Sequence, residues 1–197
     1  MRFVIGLGNP GSRYLATRHN VGFEVAHELV RRWGGRFGAD RFGNLSTDLL
    51  VANEKIRVAL PQKYMNRSGG PVRGLLDYYD GEPSEVIVIH DDLDLSFGTV
   101  KVKSGGGHGG HNGLRDLHRH LGGGGYDRVR VGVGRPPPGW EVSDYVLGRW
   151  DGDEKEELES IISIAADAIE KILRSGVGEA MNLFNQRPKS QSSAATL

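Results

Sequence analysis

The opening segment constrains the fold more than any other stretch. Phe3–Leu7 is an apolar run that reads as a buried strand, and Gly6, Gly8 and Gly11 stand at G-x-G-x-x-G spacing across its end. That spacing marks a dinucleotide-binding turn in one context only: the glycines open a helix directly, and an acidic residue follows about twenty positions on. Here Pro10 follows Asn9, and the polar stretch Ser12–His19 separates the glycines from the first helical stripe, Phe23, Ala26, Leu29, Val30 and Trp33. Where the acidic residue would stand the chain reads Arg31, Arg32, Trp33. The motif therefore reads as a tight turn off the strand, and its loop carries Asn9, Tyr14, Arg18, His19 and Asn20 beside a strand end.

The rest of the chain alternates strands with helices. Leu45–Ala52 and Lys55–Pro61 read as a hairpin about Ala52-Asn53-Glu54. Ser68 stands as an N-cap before a helix with Pro71 in its first turn and Val72, Leu75, Leu76 and Tyr79 on one stripe. Val86–His90 is the β-branched run of a central strand, and Thr99–Lys103 and Arg128–Val133 alternate strictly. Between the last two lies a short helix with Leu114, Leu117 and Leu121 inward. Residues 153–174 form a long amphipathic helix with Leu158, Ile161, Ile162, Ala165, Ile169 and Leu173 inward, and a second short helix, about Gly178–Phe184, follows Gly176. This order predicts one α/β domain over residues 1–186, a twisted mixed sheet flanked by helices on both faces. Residues 187–197, rich in Ser, Ala and Gln, are expected to be a disordered tail.

Composition narrows the function classes. The 197 residues suit a single domain, and 38% apolar with 25% charged residues is ordinary for a globular protein. With no cysteine, neither a disulfide framework nor a thiolate metal site can form. No signal-peptide pattern opens the chain and no run of about 18 apolar residues interrupts it, so a cytoplasmic protein without a membrane partner is expected. Net charge is zero, yet residues 97–150 hold eight basic and four acidic side chains. A polyanion partner stays open, because binding follows local potential rather than total charge.

Four polar clusters fall at strand ends or in glycine-rich loops: Asn9-Pro10-Gly11 with His19, Tyr64-Met65-Asn66, His90-Asp91-Asp92, and His108-Gly-Gly-His111-Asn112. The crevice beyond strand carboxyl ends is where open α/β sheets place their sites. A His/Asp metal centre is the first rival, but the glycine-rich loop offers no rigid helix for ligands and H-E-x-x-H is absent, so no metal or other cofactor is expected. Covalent catalysis is the second; no serine is flanked as G-x-S-x-G. Direct hydrolysis remains, with one histidine as base, a carboxylate to orient it and amides to hold the substrate. His19, on the polar loop, is the better base than His27, which falls inside a helix. On the two alternating strands, Lys101 and Lys103 share a face, as do Arg128 and Arg130; if the strands are neighbours, four cations face one way. The residues alone leave two readings open, a hydrolase or a ligand-binding α/β domain.

Taken together, "GLGNPG.RY..TRHNVGF", "P..YMN.SG", "VIHDDLDL..G..K.K.GGGHGGHNGL" and "RVRVGVGRP" resemble the bacterial peptidyl-tRNA hydrolases, in order, across roughly residues 3–185. Departures are small: Tyr64 stands where phenylalanine is as common, and Asp92 where glutamate is. The resemblance implies a metal-independent cytoplasmic monomer that cleaves the ester between a peptide and the terminal ribose of tRNA, recycling prematurely released peptidyl-tRNA. It makes His19 the general base and Asp91 its supporting carboxylate. Asn9 would contact the peptide backbone and separate N-blocked from free aminoacyl esters. Tyr14, Tyr64, Asn66 and Asn112 would line the site for the peptide and the acceptor-stem CCA end. Met65 and His111 would be secondary, Lys103 with Arg130 would clamp a phosphate, and Gly105–Gly110 would form a mobile rim beside Asn112. A non-catalytic RNA-binding relative and a dinucleotide oxidoreductase are the alternatives.

Overall fold

The computed structural model describes residues 1–186; the expected tail at 187–197 lies outside them. Seven strands form one sheet: β1 Arg2–Gly6, β2 Gly38–Ala39, β3 Asn44–Val51, β4 Glu54–Pro61, β5 Val86–Asp92, β6 Val100–Ser104 and β7 Asp127–Gly132, in the order β2-β3-β4-β1-β5-β7-β6. The central four, β4, β1, β5 and β7, are parallel, and antiparallel strands close both edges. Five helices complete the domain: α1 Val21–Arg32, α2 Gly69–Tyr78, α3 Asn112–Leu121, α4 Val142–Val146 and α5 Gly152–Phe184.

The central strands are β-branched on both faces, and each face carries its own core. On one, Val4, Ile87, Ile89, Val129 and Val131 meet Val25 and Leu29 of α1 and Ile161, Ala165 and Ile169 of α5. On the other, Phe3, Ile5, Val86 and Val88 meet Val72, Leu75 and Leu76 of α2 and Leu114, Leu117 and Leu121 of α3. No described helix is long and apolar enough to cross a membrane.

Several sequence expectations are refined. The β3–β4 hairpin turns at Ala52 and Asn53, both with positive φ (51° and 63°) as a tight two-residue turn requires. Two elements escaped the pattern reading, the two-residue β2 and the five-residue α4. The α5 span is broken at Gly176, whose backbone is non-helical (φ 83°, ψ 162°), so the expected second short helix follows it. Ser68 stands at the N-cap of α2, but its hydroxyl donates to the Met65 carbonyl; the Gly69 N–H is satisfied by Asp116 of α3, at 2.8 Å. At the open edge of β6, the Asn185 side chain accepts from the Val102 N–H (2.9 Å) and donates to the Val102 carbonyl (2.8 Å).

The glycines of the opening motif serve close packing more than turning. A Cβ on Gly6 would lie 2.5 Å from the Gly22 carbonyl oxygen, and one on Gly8 would lie 2.7 Å from the Phe23 ring. Of the three, only Gly11 has positive φ, 100°. Removing the side chains lets α1 start directly against the carboxyl ends of β1 and β5. Their connections leave in opposite directions there, which opens a crevice between them.

Candidate active site

His19 occupies a 3₁₀ turn, Arg18–Asn20, immediately before α1, and Asp91 sits near the carboxyl end of β5. Both are buried, at 9% and 3% exposure. His19 Nδ1 lies 2.9 Å from Asp91 Oδ1 and 3.0 Å from Oδ2, so Nδ1–H donates to the carboxylate. The other ring nitrogen, Nε2, has no hydrogen-bond partner among the described residues.

A second histidine shares the carboxylate. His111 Nε2 lies 2.9 Å from Asp91 Oδ1, while its Nδ1 accepts from the Gly113 and Leu114 N–H groups as the N-cap of α3. An accepting Nδ1 fixes the tautomer, so Nε2 carries the proton and donates to Asp91. His90 faces the same cluster with its ring 5.1 Å from that of His111, and its Nδ1–H donates to the Asp91 backbone carbonyl.

The electrostatics follow from this sharing. Burial would raise Asp91, but the charges and hydrogen bonds of His19 and His111 outweigh it and hold the carboxyl well below its ordinary range. Burial would likewise depress His19, but the Asp91 charge and hydrogen bond prevail and raise it. His90 is lowered by burial and by the neighbouring His111, so it is neutral. His19, Asp91 and His111 present ligand atoms within 4.8 Å of one another, the one cluster among the described residues able to hold a metal ion. Asp91 Oδ1 is in direct hydrogen-bond contact with both rings, and His111 Nδ1 with the first N–H groups of α3.

Two adjoining cavities meet at His19. The smaller, about 210 Å³, is lined by Asn9, Tyr14, Tyr64, Met65 and Asn66. The larger, about 630 Å³, contains Asp91, His111, Lys103, Arg128 and Arg130. His19, Asn112, Ser143 and Val146 line both. His19, Asp91, Asn9, Tyr14, Tyr64, Met65, Asn66, Asn112, His111, Lys103 and Arg130 thus border one cavity or the other, whereas Arg18, Asn20 and Lys101 border neither.

Asn9 is fixed on three sides. Its N–H donates to Asn20 Oδ1 and its carbonyl accepts from Asn20 Nδ2, each at 2.9 Å, while its side-chain Oδ1 accepts from the Met65 N–H at 2.8 Å. The Nδ2 group is left without a partner among the described residues. Asn20 is therefore a positioning residue to which the sequence reading gave no role, although the loop's unusual polarity pointed at it. The Tyr14 and Tyr64 rings meet edge-on at 6.3 Å, and Tyr64 is 59% exposed. Asn66 is exposed, and Asn112 uses its Oδ1 to accept from Arg115 at 3.1 Å.

The two alternating strands are neighbours, pairing Lys101 with Arg130 and Lys103 with Arg128. The four cations differ in freedom. Arg128 is buried, and its guanidinium donates to the Gly106 and Gly107 carbonyls, holding the glycine-rich loop from beneath. Arg130 Nε donates to Asp92 at 2.8 Å. Lys103 is exposed and makes no hydrogen bond or ion pair among the described residues.

Comparison with known proteins agrees with this geometry. The family model for peptidyl-tRNA hydrolase matches residues 3–193. The peptidyl-tRNA hydrolase of Rhodopirellula baltica is 46% identical over 185 residues, 94% of this chain and 97% of its own. That of Geobacillus kaustophilus is 45% identical, over 94% of this chain and all of its own. The crystal structure of peptidyl-tRNA hydrolase from Acinetobacter baumannii superposes with a TM-score of 0.88 at 37% identity, covering 94% of each chain. A match that spans nearly the whole chain in both sequence and fold places it in the peptidyl-tRNA hydrolase family.

Proposed function

We propose that this chain, an ester hydrolase by its family membership, cleaves peptidyl-tRNA with His19 as the general base. The observation that carries the assignment is the buried His19–Asp91 pair at the junction of two cavities, with Nε2 of His19 unpartnered among the described residues. Nε2 takes a proton from water as the water oxygen attacks the ester carbonyl. The resulting imidazolium is stabilised by Asp91, and its proton passes to the ribose oxygen as the carbon–oxygen bond breaks. The products are a peptide acid and a free tRNA hydroxyl. Asn66 and Asn112 both line the smaller cavity, and one of the two donates its amide N–H to the developing oxyanion.

The smaller cavity suits the peptide, with Asn9 Nδ2 donating to its first carbonyl and Tyr14 and Tyr64 as apolar walls. The larger, with Lys103 and Arg130, suits the CCA end and acceptor-stem phosphates. A metal-independent cytoplasmic monomer that recycles prematurely released peptidyl-tRNA fits this site. The deciding experiment is release of N-acetylated amino acid from tRNA, with and without chelator. Turnover unaffected by chelator is expected. Loss of turnover on chelation, restored by a divalent ion, would reassign His19, Asp91 and His111 as metal ligands.

A further inference from the structure

Arg18, immediately before the proposed base, is 7% exposed, and burying a guanidinium is costly unless its charge and hydrogen bonds are met. One Nη donates to the Arg149 carbonyl at 2.9 Å and the other to Glu154 of α5, with Asp151 4.0 Å away. The guanidinium carbon lies 4.5 Å from the centre of the Tyr145 ring and 5.6 Å from that of Trp150. The Arg18 backbone N–H donates to the Gly148 carbonyl, and Thr17 pairs with Arg149 as an isolated bridge. Every one of these contacts reaches residues 145–154, the segment between α4 and the first turn of α5.

That segment carries the wall of the site. Ser143 and Val146 of α4 line both cavities, and Leu147 lines the smaller one. Yet α4 has five residues, and only Val146 among them is buried, so apolar packing does little to hold it. Its other attachment is Tyr145, whose hydroxyl donates to the Val133 carbonyl at 2.6 Å and whose ring meets Arg18. We infer that Arg18 is a positioning residue for substrate binding: its contacts with Tyr145, Arg149 and Glu154 fix the Ser143–Val146 wall against the His19 turn and so set the width of both cavities. The inference rests on the proposed reading of those cavities as the substrate site. Lysine cannot replace arginine here, because one ammonium cannot both stack on Tyr145 and serve the Arg149 carbonyl and Glu154 in a fixed fork.

The test compares wild type, Arg18→Lys and Glu154→Gln. Hydrolysis of N-acetylated aminoacyl-tRNA gives KM, kcat and the pH profile, and amide hydrogen exchange reports on residues 142–148. Arg18→Lys is expected to raise KM roughly tenfold, the scale of one lost charge-assisted hydrogen bond. Its kcat stays within about twofold and the acid limb of its pH profile stays in place, because the His19–Asp91 pair is intact. Exchange over 142–148 accelerates. Glu154→Gln keeps hydrogen-bonding capacity without charge and gives a smaller change in the same direction. A fall in kcat with a displaced acid limb would show that Arg18 acts on His19 itself and overturn the inference. Unchanged KM with unchanged exchange would overturn it too, even if thermal stability fell. The exchange measurement needs no turnover, so it separates failure of the Arg18 role from failure of the His19 assignment, which full activity of His19→Ala would show.

Discussion

The His19 imidazole gives Nδ1 to Asp91 at 2.9 Å and leaves Nε2 without a partner among the described residues, and this division of one ring fixes both its tautomer and its basicity. With Nδ1–H held by the carboxylate, Nε2 carries the lone pair. Because the pair raises His19 above its ordinary value of 6.5, the ring stays protonated to higher pH than a free imidazole.

The pH dependence of kcat/KM should therefore show an acid limb above 6.5, set by His19. His19→Ala should lower kcat by roughly 10²–10⁴ with little change in tRNA binding. Asp91→Asn removes the charge that raises His19 while leaving the burial that lowers it. The limb should then move to lower pH as kcat falls. A limb that stays in place in Asp91→Asn assigns the titration to another group.

Asn9 offers a cleaner separation of roles. Its Oδ1 holds the Met65 N–H, while its Nδ2, the proposed substrate donor, has no partner among the described residues. Asn9→Asp keeps an acceptor for Met65 but replaces the donor with a carboxylate at a buried position. It should shrink the preference for N-blocked over free aminoacyl-tRNA, with some loss of thermal stability from the buried carboxylate. Asn9→Ala loses both contacts, so it should reduce selectivity and stability together. Equal losses on the two substrates in Asn9→Asp would make Asn9 generally catalytic rather than selective.

The cationic strands make a salt-dependent prediction. Lys103→Ala should raise KM for full-length substrate and lower the slope of log K against log salt by about 0.7–0.9. A blocked aminoacyl ester on a short CCA fragment lacks the distant phosphates and should be cleaved almost normally. Arg130→Ala should behave alike but lose some stability, since Asp92 loses its partner. Arg128→Ala should destabilise the fold, because Arg128 anchors the glycine-rich loop. Equal impairment of Lys103→Ala on both substrates would place Lys103 at the chemical centre.

Glu24, half-buried on α1 beside Trp150, has its carboxyl pushed up to about 7 by burial. Its ordinary value is 4.5, so between that pH and about 7 the folded state holds the proton more tightly than the unfolded chain. Stability from this group is complete below 4.5 and is lost as pH rises through 7. Glu24→Gln should therefore stabilise the protein by ~1–3 kcal/mol above pH 7 and by nothing at pH 4. Denaturant melts at the two pH values measure this; equal stability at both would mean that Glu24 is solvated in the folded state.

Most of the fold was legible because its elements are long and periodic. The stripe of α1, the alternation of β6 and β7 and the apolar run of β1 each satisfy one period over several residues. The segments β2 and α4 were not, since two exposed residues and a five-residue helix burying only Val146 leave no period to read. Of the site, His19 and Asn9 stood out by their loop. Nothing in their spacing says that His111, 92 positions on from His19, shares Asp91 with it, or that its second nitrogen caps a helix. Ser68 does stand at the N-cap of α2, but for a related reason it supplies no capping bond: a carboxylate from α3 reaches the Gly69 N–H instead. Arg18 read as one more loop cation, because an ion pair with Glu154 is a property of the folded chain.

The Asn185 amide on Val102 has a consequence for how this molecule shares a crowded solution. A bare β6 edge would present unpaired peptide groups on an alternating Val/Lys strand, a template onto which a second sheet can zip. One side chain occupies the donor and the acceptor of the central residue together, imitating a neighbouring strand one residue long. Lys101 and Lys103 on either side add like charge against any incoming copy. The peptide groups of Val102 are thereby closed to a second strand, on the same short strand that carries Lys103, the proposed phosphate contact.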